Sequence, residues 1–323
     1  MVNTSLKKAR VLAQLTQKEV AEKLGVSQPN YQRWESGKLT VPANKVSKLS
    51  KILGTSSNDV LGKLKPFDFF GIDPLIDDDR RYFGEVAIHF VSGNPPLLLS
   101  TSYGVCNRLR RGLEEDRRFV VVESLDNRMV LIPRESIADV YFSTDACDSY
   151  GPESYDDNEH LGTFPDDDFW QVVAALDSLD ALDCEFDQAL IDLVREIVVL
   201  NDAVLNEEML IEKFSEETRK QKRALADEKT RRFQDRARNV SWRLTSGQRR
   251  EEFVVESTYI YDAFFAITDF PEANHGFIDL CVEIRLRSIV INPGAIDFII
   301  IPAQRFREGE LARLEEHLVE SGD

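Results

Sequence analysis

Apolar positions follow two rhythms along the 323-residue chain. Up to Leu61 they recur every three or four residues, the helical spacing, and the residues between them mark the helix ends. Thr16 is placed to cap a helix over Gln17–Leu24, Gly25 to supply the left-handed turn that ends it, and Ser27 to cap a second helix from Gln28 to about Ser36. The three residues Gly25-Val26-Ser27 join the two. Beyond residue 81 the pattern predicts strands: Phe83–Val91 alternates, Pro96–Thr101 is apolar, Phe119–Glu123 and Met129–Ile132 are β-rich, and Ala138–Ser143 closes the set. Helical spacing interrupts them over Gly104–Leu113. It returns over Phe169–Leu182 and Phe186–Asn201, a long helix is predicted from Leu205 to about Arg238, and an amphipathic helix over Gly309–Val319 ends the chain.

The strand pattern occurs twice. Val86-Ala-Ile-His-Phe-Val-Ser-Gly93 aligns with Val240-Ser-Trp-Arg-Leu-Thr-Ser-Gly247, Phe119–Glu123 with Phe277–Cys281, and Arg128–Ile137 with Arg287–Ile296. The offset is 154 residues at the first match and 159 at the last, so only small length changes separate the copies. The expectation is a duplicated, compact five-stranded module with a helix after its second strand. In strand pattern only, such a module resembles Sm-like barrels, a family that assembles by pairing edge strands and sometimes binds RNA. The acidic and Met-Asn signature of that family is missing, and Asn127-Arg128 is too little for a nucleotide pocket, so edge-strand assembly ranks above RNA binding.

In the second predicted helix, Tyr31, Trp34 and Glu35 share one side and Gln28, Pro29, Gln32 and Arg33 the other. The first side suits packing and the second suits reading. Pro29 falls in the first turn, where its missing N–H has no intrahelical partner to lose. Gln28 can present an amide to an adenine edge, and Arg33 a two-pronged donor to guanine or phosphate. Gln17 opens the preceding helix, where free N–H groups suit a DNA phosphate. Asn30, on the reading helix, Lys38 and Asn44 complete the candidate DNA-contacting set.

Thr16, Gln17, Val20, Ala21, Leu24, Gly25, Val26, Ser27, Gln28, Arg33, Trp34, Glu35, Gly37, Lys38 and Pro42 together resemble the Cro/repressor, or xenobiotic-response-element-like, helix-turn-helix family. The resemblance covers about sixty residues and implies backbone contacts from Gln17 and Lys38, a groove-facing side of Gln28, Pro29, Gln32 and Arg33, and a structural ion pair between Arg10 and Glu35. Pro29 stands where the family often has a polar, base-reading residue, and Tyr31 where it has a buried aliphatic one.

Charge sharpens this picture. Residues 1–65 hold twelve Lys and Arg against four acids, whereas the whole chain holds 40 against 57, leaving 28 against 53 for the other 258 residues. A basic reader is attached to an acidic body, and screening over about 8 Å at physiological salt lets the two act separately. From Glu135 to Val194 there is no Lys or Arg at all and there are seventeen acids. Part of that segment, Cys147–Asp168, has the Gly, Pro, Ser and Asp content of a solvated loop, and its return onto the reader would compete with phosphates. Asp166, Asp167 and Asp168 lack the spacing of a calcium loop.

The remaining chemistry narrows the class. His89, His160, His275 and His317 are scattered with no metal-binding or general-base motif, and no glycine loop cradles a phosphate, so an enzyme, a metal and a cofactor are all unexpected. Cys106, Cys147, Cys184 and Cys281 have no ligand spacing and read as reduced thiols. The longest apolar run, Ile289–Ile301, is broken by Asn292, Pro293 and Asp297, so no membrane partner and a cytoplasmic, nucleoid-associated location are expected.

The expected fold is a multidomain α+β chain: an N-terminal all-α helix-turn-helix domain over 1–65, a linker over 66–81, β module 1 over 82–145, an acidic loop over 146–168, a helical connector over 169–238, β module 2 over 239–305 and a C-terminal helix over 306–323. The expected function is a sequence-specific DNA-binding transcriptional regulator, in the repressor sense, that self-associates to read an inverted-repeat operator in double-stranded DNA. The competing expectation is an antitoxin-like or phage-defence protein that binds a protein partner through its acidic region and autoregulates through the reader. A ligand-sensing regulator is the third.

Overall fold

The computed structural model describes residues 4–36, 39–61, 77–144, 165–178, 186, 188–198, 216–273, 276–284 and 286–320. The acidic loop over 146–168 lies almost entirely outside these residues, as do most of the linker over 66–81 and the start of the helix expected from Leu205. Two compact units interleave in sequence, one formed by 1–65, 168–237 and 311–323 and the other by 66–167 and 238–310.

The first unit opens with α1 (Thr4–Leu12), α2 (Gln17–Leu24), α3 (Gln28–Glu35), α4 (Ala43–Leu53) and α5 (Ser57–Val60). Their buried residues, among them Leu6, Val20, Leu24, Tyr31, Trp34, Val46, Leu49 and Leu53, form one core. The same unit holds α7 (Asp167–Ala174) from Asp168 onward, α8 (Gln188–Ile197) and most of α9 (Glu216–Arg238). The helix expected over Phe169–Leu182 is shorter: α7 gives way to a 3₁₀ turn over Leu176–Ser178. Trp170 is 1% exposed and stacks on Phe233 with ring centroids 6.0 Å apart, which fixes α7 against α9.

The second unit contains two runs of the same elements. The first is β1 (Tyr82–Phe90), β2 (Leu97–Ser102), α6 (Tyr103–Glu114), β3 (Phe119–Ser124), β4 (Arg128–Pro133), a 3₁₀ turn and β5 (Ile137–Thr144). The second is β6 (Asn239–Leu244), β7 (Arg249–Phe253), α10 (Ser257–Asp269), β8 (Ile278–Glu283), β9 (Arg287–Ile291), a 3₁₀ turn and β10 (Ile296–Pro302).

The pairing registers agree as well. Val140 lies opposite Ile88 and Tyr141 opposite Ala87, while Ile299 lies opposite Trp242 and Ile300 opposite Ser241. Each pairing slips by one residue at the corresponding place, Ala138 in one half and Asp297 in the other. Val120 opposite Ile132 likewise matches Ile278 opposite Ile291. The turns after β1 and β6 both place a glycine at positive φ, 74° at Gly93 and 89° at Gly247, a conformation that L side chains rarely adopt.

One expectation is corrected. The halves are not two separate five-stranded sheets: the strands form β2-β1-β5, β3-β4-β10-β6-β7 and β8-β9, and the five-stranded sheet takes strands from both halves. The cause lies in β4 and β10. Met129–Ile132 and Ile296–Ile301 are buried along their whole length, so both faces of these strands need cover and neither can stay at an edge. Pairing them side by side meets that need. Met129, Leu131, Ile299 and Ile301 then enter a core with α10 and the β8–β9 hairpin, whereas Val130, Ile132, Phe298 and Ile300 enter a core with β1, β2 and α6.

The C-terminal helix α11 (Ala303–Glu320) starts earlier than 306, because Asn127 caps it. Asn127 sits at φ 71°, its carbonyl accepts from the Ala303 N–H at 3.0 Å and its side-chain oxygen from the Gln304 N–H at 2.9 Å. Asn127 therefore has a structural role at the start of α11. Asp167 of the acidic triplet forms an ion pair with Arg307.

Candidate nucleic-acid interface

The candidate surface is built from the turn between α2 and α3. Thr16 and Glu19 form a reciprocal capping box at the start of α2, in which the Thr16 hydroxyl accepts from the Glu19 N–H and the Glu19 carboxylate accepts from the Thr16 N–H. Gly25 at φ 72° ends the helix, and its N–H is donated to the carbonyls of Ala21 and Glu22. Ser27 stands at the N-cap of α3 with extended backbone, yet its side chain makes no capping bond. With Pro29 at the second helical position, one of the N–H groups that a cap would serve does not exist. The Ser27 carbonyl accepts from the N–H groups of Asn30 and Tyr31, and the Val26 N–H is donated to the Ala21 carbonyl, so backbone bonds hold the turn.

Burial of Tyr31 and Trp34 fixes the roll of α3, and that roll leaves Gln28, Pro29, Asn30, Gln32 and Arg33 exposed. Asn44 is exposed at the start of α4. Lys38 lies outside the described residues. Gln17 is half-buried, and its amide nitrogen is donated to Glu35 Oε2 at 2.5 Å. That side chain braces the reading helix from behind, and the start of α2 is what it leaves toward a phosphate.

Behind the exposed face lies a buried polar hub. Arg10, 2% exposed, donates from Nε to Glu35 Oε1 at 2.6 Å and from Nη1 to the Leu15 carbonyl at 3.0 Å. The Tyr31 hydroxyl donates to Glu35 Oε1 at 3.2 Å, which explains how a tyrosine fits where an aliphatic residue was expected: the ring fills the core and the hydroxyl joins the hub. Burial, and then the Glu35 charge, push the Tyr31 phenol well above its usual pKa, so it stays a donor.

A family model described as helix-turn-helix matches residues 6–60. Residues 6–60 are a helix-turn-helix domain of the xenobiotic-response-element type. The match suggests a DNA-binding regulator. Comparison with curated proteins and with solved structures gives no match. No described helix is long and apolar enough to cross a membrane.

One participant in the helix-turn-helix hub had no signal in the sequence. Glu315, on α11 and 305 residues from Arg10, accepts from Arg10 Nη2 at 2.6 Å and pairs with Lys7 Nζ at 2.8 Å. Burial pushes the Glu315 carboxyl up, but hydrogen bonds and charge from Lys7 and Arg10 outweigh it and hold the carboxyl below its ordinary value of 4.5. A depressed carboxyl stabilises the fold above its unfolded pKa, and that contribution is lost as pH falls through the folded value. Glu315→Gln should therefore melt below the wild type at pH 7, and the gap should close as the pH drops below about 4. A gap that stays constant between those pH values would show that the Glu315 charge has no part in it.

Proposed function

We propose that the protein is a sequence-specific DNA-binding regulator that represses by occupying a repeated operator, reads each half-site with α3, and self-associates through its β modules. The observation that carries this reading is the exposed polar face of α3, Gln28 to Arg33, held outward by the burial of Tyr31 and Trp34 on the opposite side. A single helix of this kind covers only a half-site, and linking two readers makes the second contact intramolecular. The two β modules are read as copies of one ancestral unit, Sm-like in strand pattern, and the shared registers and matching one-residue slips support that origin.

Sequencing the DNA that co-purifies with the full chain tests the function. A recurrent pair of related half-sites is expected; fragments with no shared motif would count against specific reading. On the recovered site, Gln28→Ala or Arg33→Ala should cost about 1–3 kcal/mol and relax preference at one base pair each. Lys38→Ala should weaken all sequences alike, as loss of a phosphate contact does, and Gln17→Ala should do the same by removing the brace at Glu35. Footprints left unchanged by both Gln28→Ala and Arg33→Ala would remove α3 as the reading element.

A further inference from the structure

Within the chain, the two halves already meet edge to edge. β4 of the first half pairs antiparallel with β10 of the second, with Leu131 opposite Ile299, Val130 opposite Ile300 and Met129 opposite Ile301. Under the offset of 159 residues that aligns the halves, β4 corresponds to β9 and β10 to β5. These are the strands the internal joint leaves over: among the described residues, β9 pairs only with β8, and β5 only with β1. Corresponding side chains are covered in one place and open in the other. Leu131 is 0% exposed and its counterpart Val290 is 61% exposed; Ile300 is 9% exposed and its counterpart Tyr141 is 40% exposed. Phe277, Ile284 and Leu286, flanking β8 and β9, are exposed as well.

The β7 edge of the five-stranded sheet is built differently. β7 reads Arg249-Arg250-Glu251-Glu252-Phe253, and four successive charges guard an edge against pairing. β9 carries Ser288-Ile289-Val290-Ile291 after a single arginine, a sequence that invites a partner strand.

We propose that a second copy of this chain supplies that partner: β9 of one copy pairs antiparallel with β5 of the next, repeating between chains the joint that β4 and β10 make within one. The internal joint sets the register. Val290 lies opposite Val140 of the second copy, Ile289 opposite Tyr141 and Ser288 opposite Phe142. The occupant is a second copy because the strand that fits the counterpart of β9 is β10, and the counterpart of β10 is β5 of this same chain. The two edges differ, so the contact is head to tail, and closure into a ring is what limits the assembly. The inference rests on the reading of the two modules as copies, and it names the edges through which the proposed regulator brings its readers together.

Native mass spectrometry and light scattering on the full chain, with Val290→Asp and Tyr141→Asp variants, test it. Both positions are open in the single chain, so each variant should keep the wild-type circular dichroism. The wild type should be associated and each variant alone monomeric. An equimolar mixture of the two should form a one-to-one pair, because Val290→Asp leaves β5 intact and Tyr141→Asp leaves β9 intact. A misfolded variant would not be rescued by mixing. As a check independent of those variants, the double variant Ile289→Cys with Tyr141→Cys should cross-link between chains on oxidation. A monomeric wild type overturns the proposal, as does absence of that cross-link. Association that survives both aspartate substitutions overturns this edge while leaving self-association of the regulator by another surface in place.

Discussion

Glu35→Ala should cost about 3 kcal/mol or more and loosen the helix-turn-helix domain before any base contact is touched. Glu35 is 5% exposed and accepts from Arg10, Gln17 and Tyr31 at once. Removing it leaves the buried Arg10 guanidinium with only the Leu15 carbonyl and Glu315. Breaking a buried pair from one side costs about 3–5 kcal/mol, and the remaining bond to Glu315 places the effect near the lower end of that range. Glu35→Gln, which keeps an acceptor, should cost less. Hydrogen exchange of the α1–α3 amides reads the change locally; protection within about 1 kcal/mol of the wild type would mean that the hub does not hold the domain together.

Much of this was legible in the sequence where the cause is local. Thr16, Glu19 and Gly25 specify their caps through their own side-chain chemistry and backbone freedom, and α2 begins and ends where they direct. The two strand sets were visible because period-two alternation is a short-range signal, and the offsets that align them carry the registers of one half onto the other. What stayed hidden depends on distance along the chain. Nothing near Leu131 announces that it will face Ile299; an all-apolar strand predicts a central place in a sheet and leaves its neighbour unspecified. Glu315 reaches Arg10 across 305 residues with no pattern to mark it. Ser27 misled because a good capping residue was placed before a proline that removes one of the groups to be capped.

The polar network at the joint of the β modules belongs to the same long-range class and should show the other large effect. Asp297 is 0% exposed, and its Oδ2 accepts from Ser92 Oγ at 3.1 Å, Asn94 Nδ2 at 2.7 Å and Arg243 Nε at 3.0 Å. It thus ties the turn after β1 to β6 and β10. Arg243 lies over two adjacent rings, 4.7 Å from the Phe90 centroid and 4.6 Å from that of Phe298, and donates from Nη1 to the Pro95 carbonyl at 2.6 Å. Burial lowers the Arg243 pKa and the Asp297 charge opposes that fall, so the guanidinium depends on this carboxylate. Asp297→Ala removes the shared acceptor and leaves a desolvated cation over two aromatic rings, a loss of about 3–5 kcal/mol. Arg243→Met combined with Asp297→Leu should recover most of that loss, because a buried ion pair can often be replaced by apolar side chains of similar volume at little cost. Urea denaturation of the single and double variants measures the coupling. A double variant as unstable as Asp297→Ala alone would show that the hydrogen bonds to Ser92 and Asn94, and not the ion pair, hold the joint.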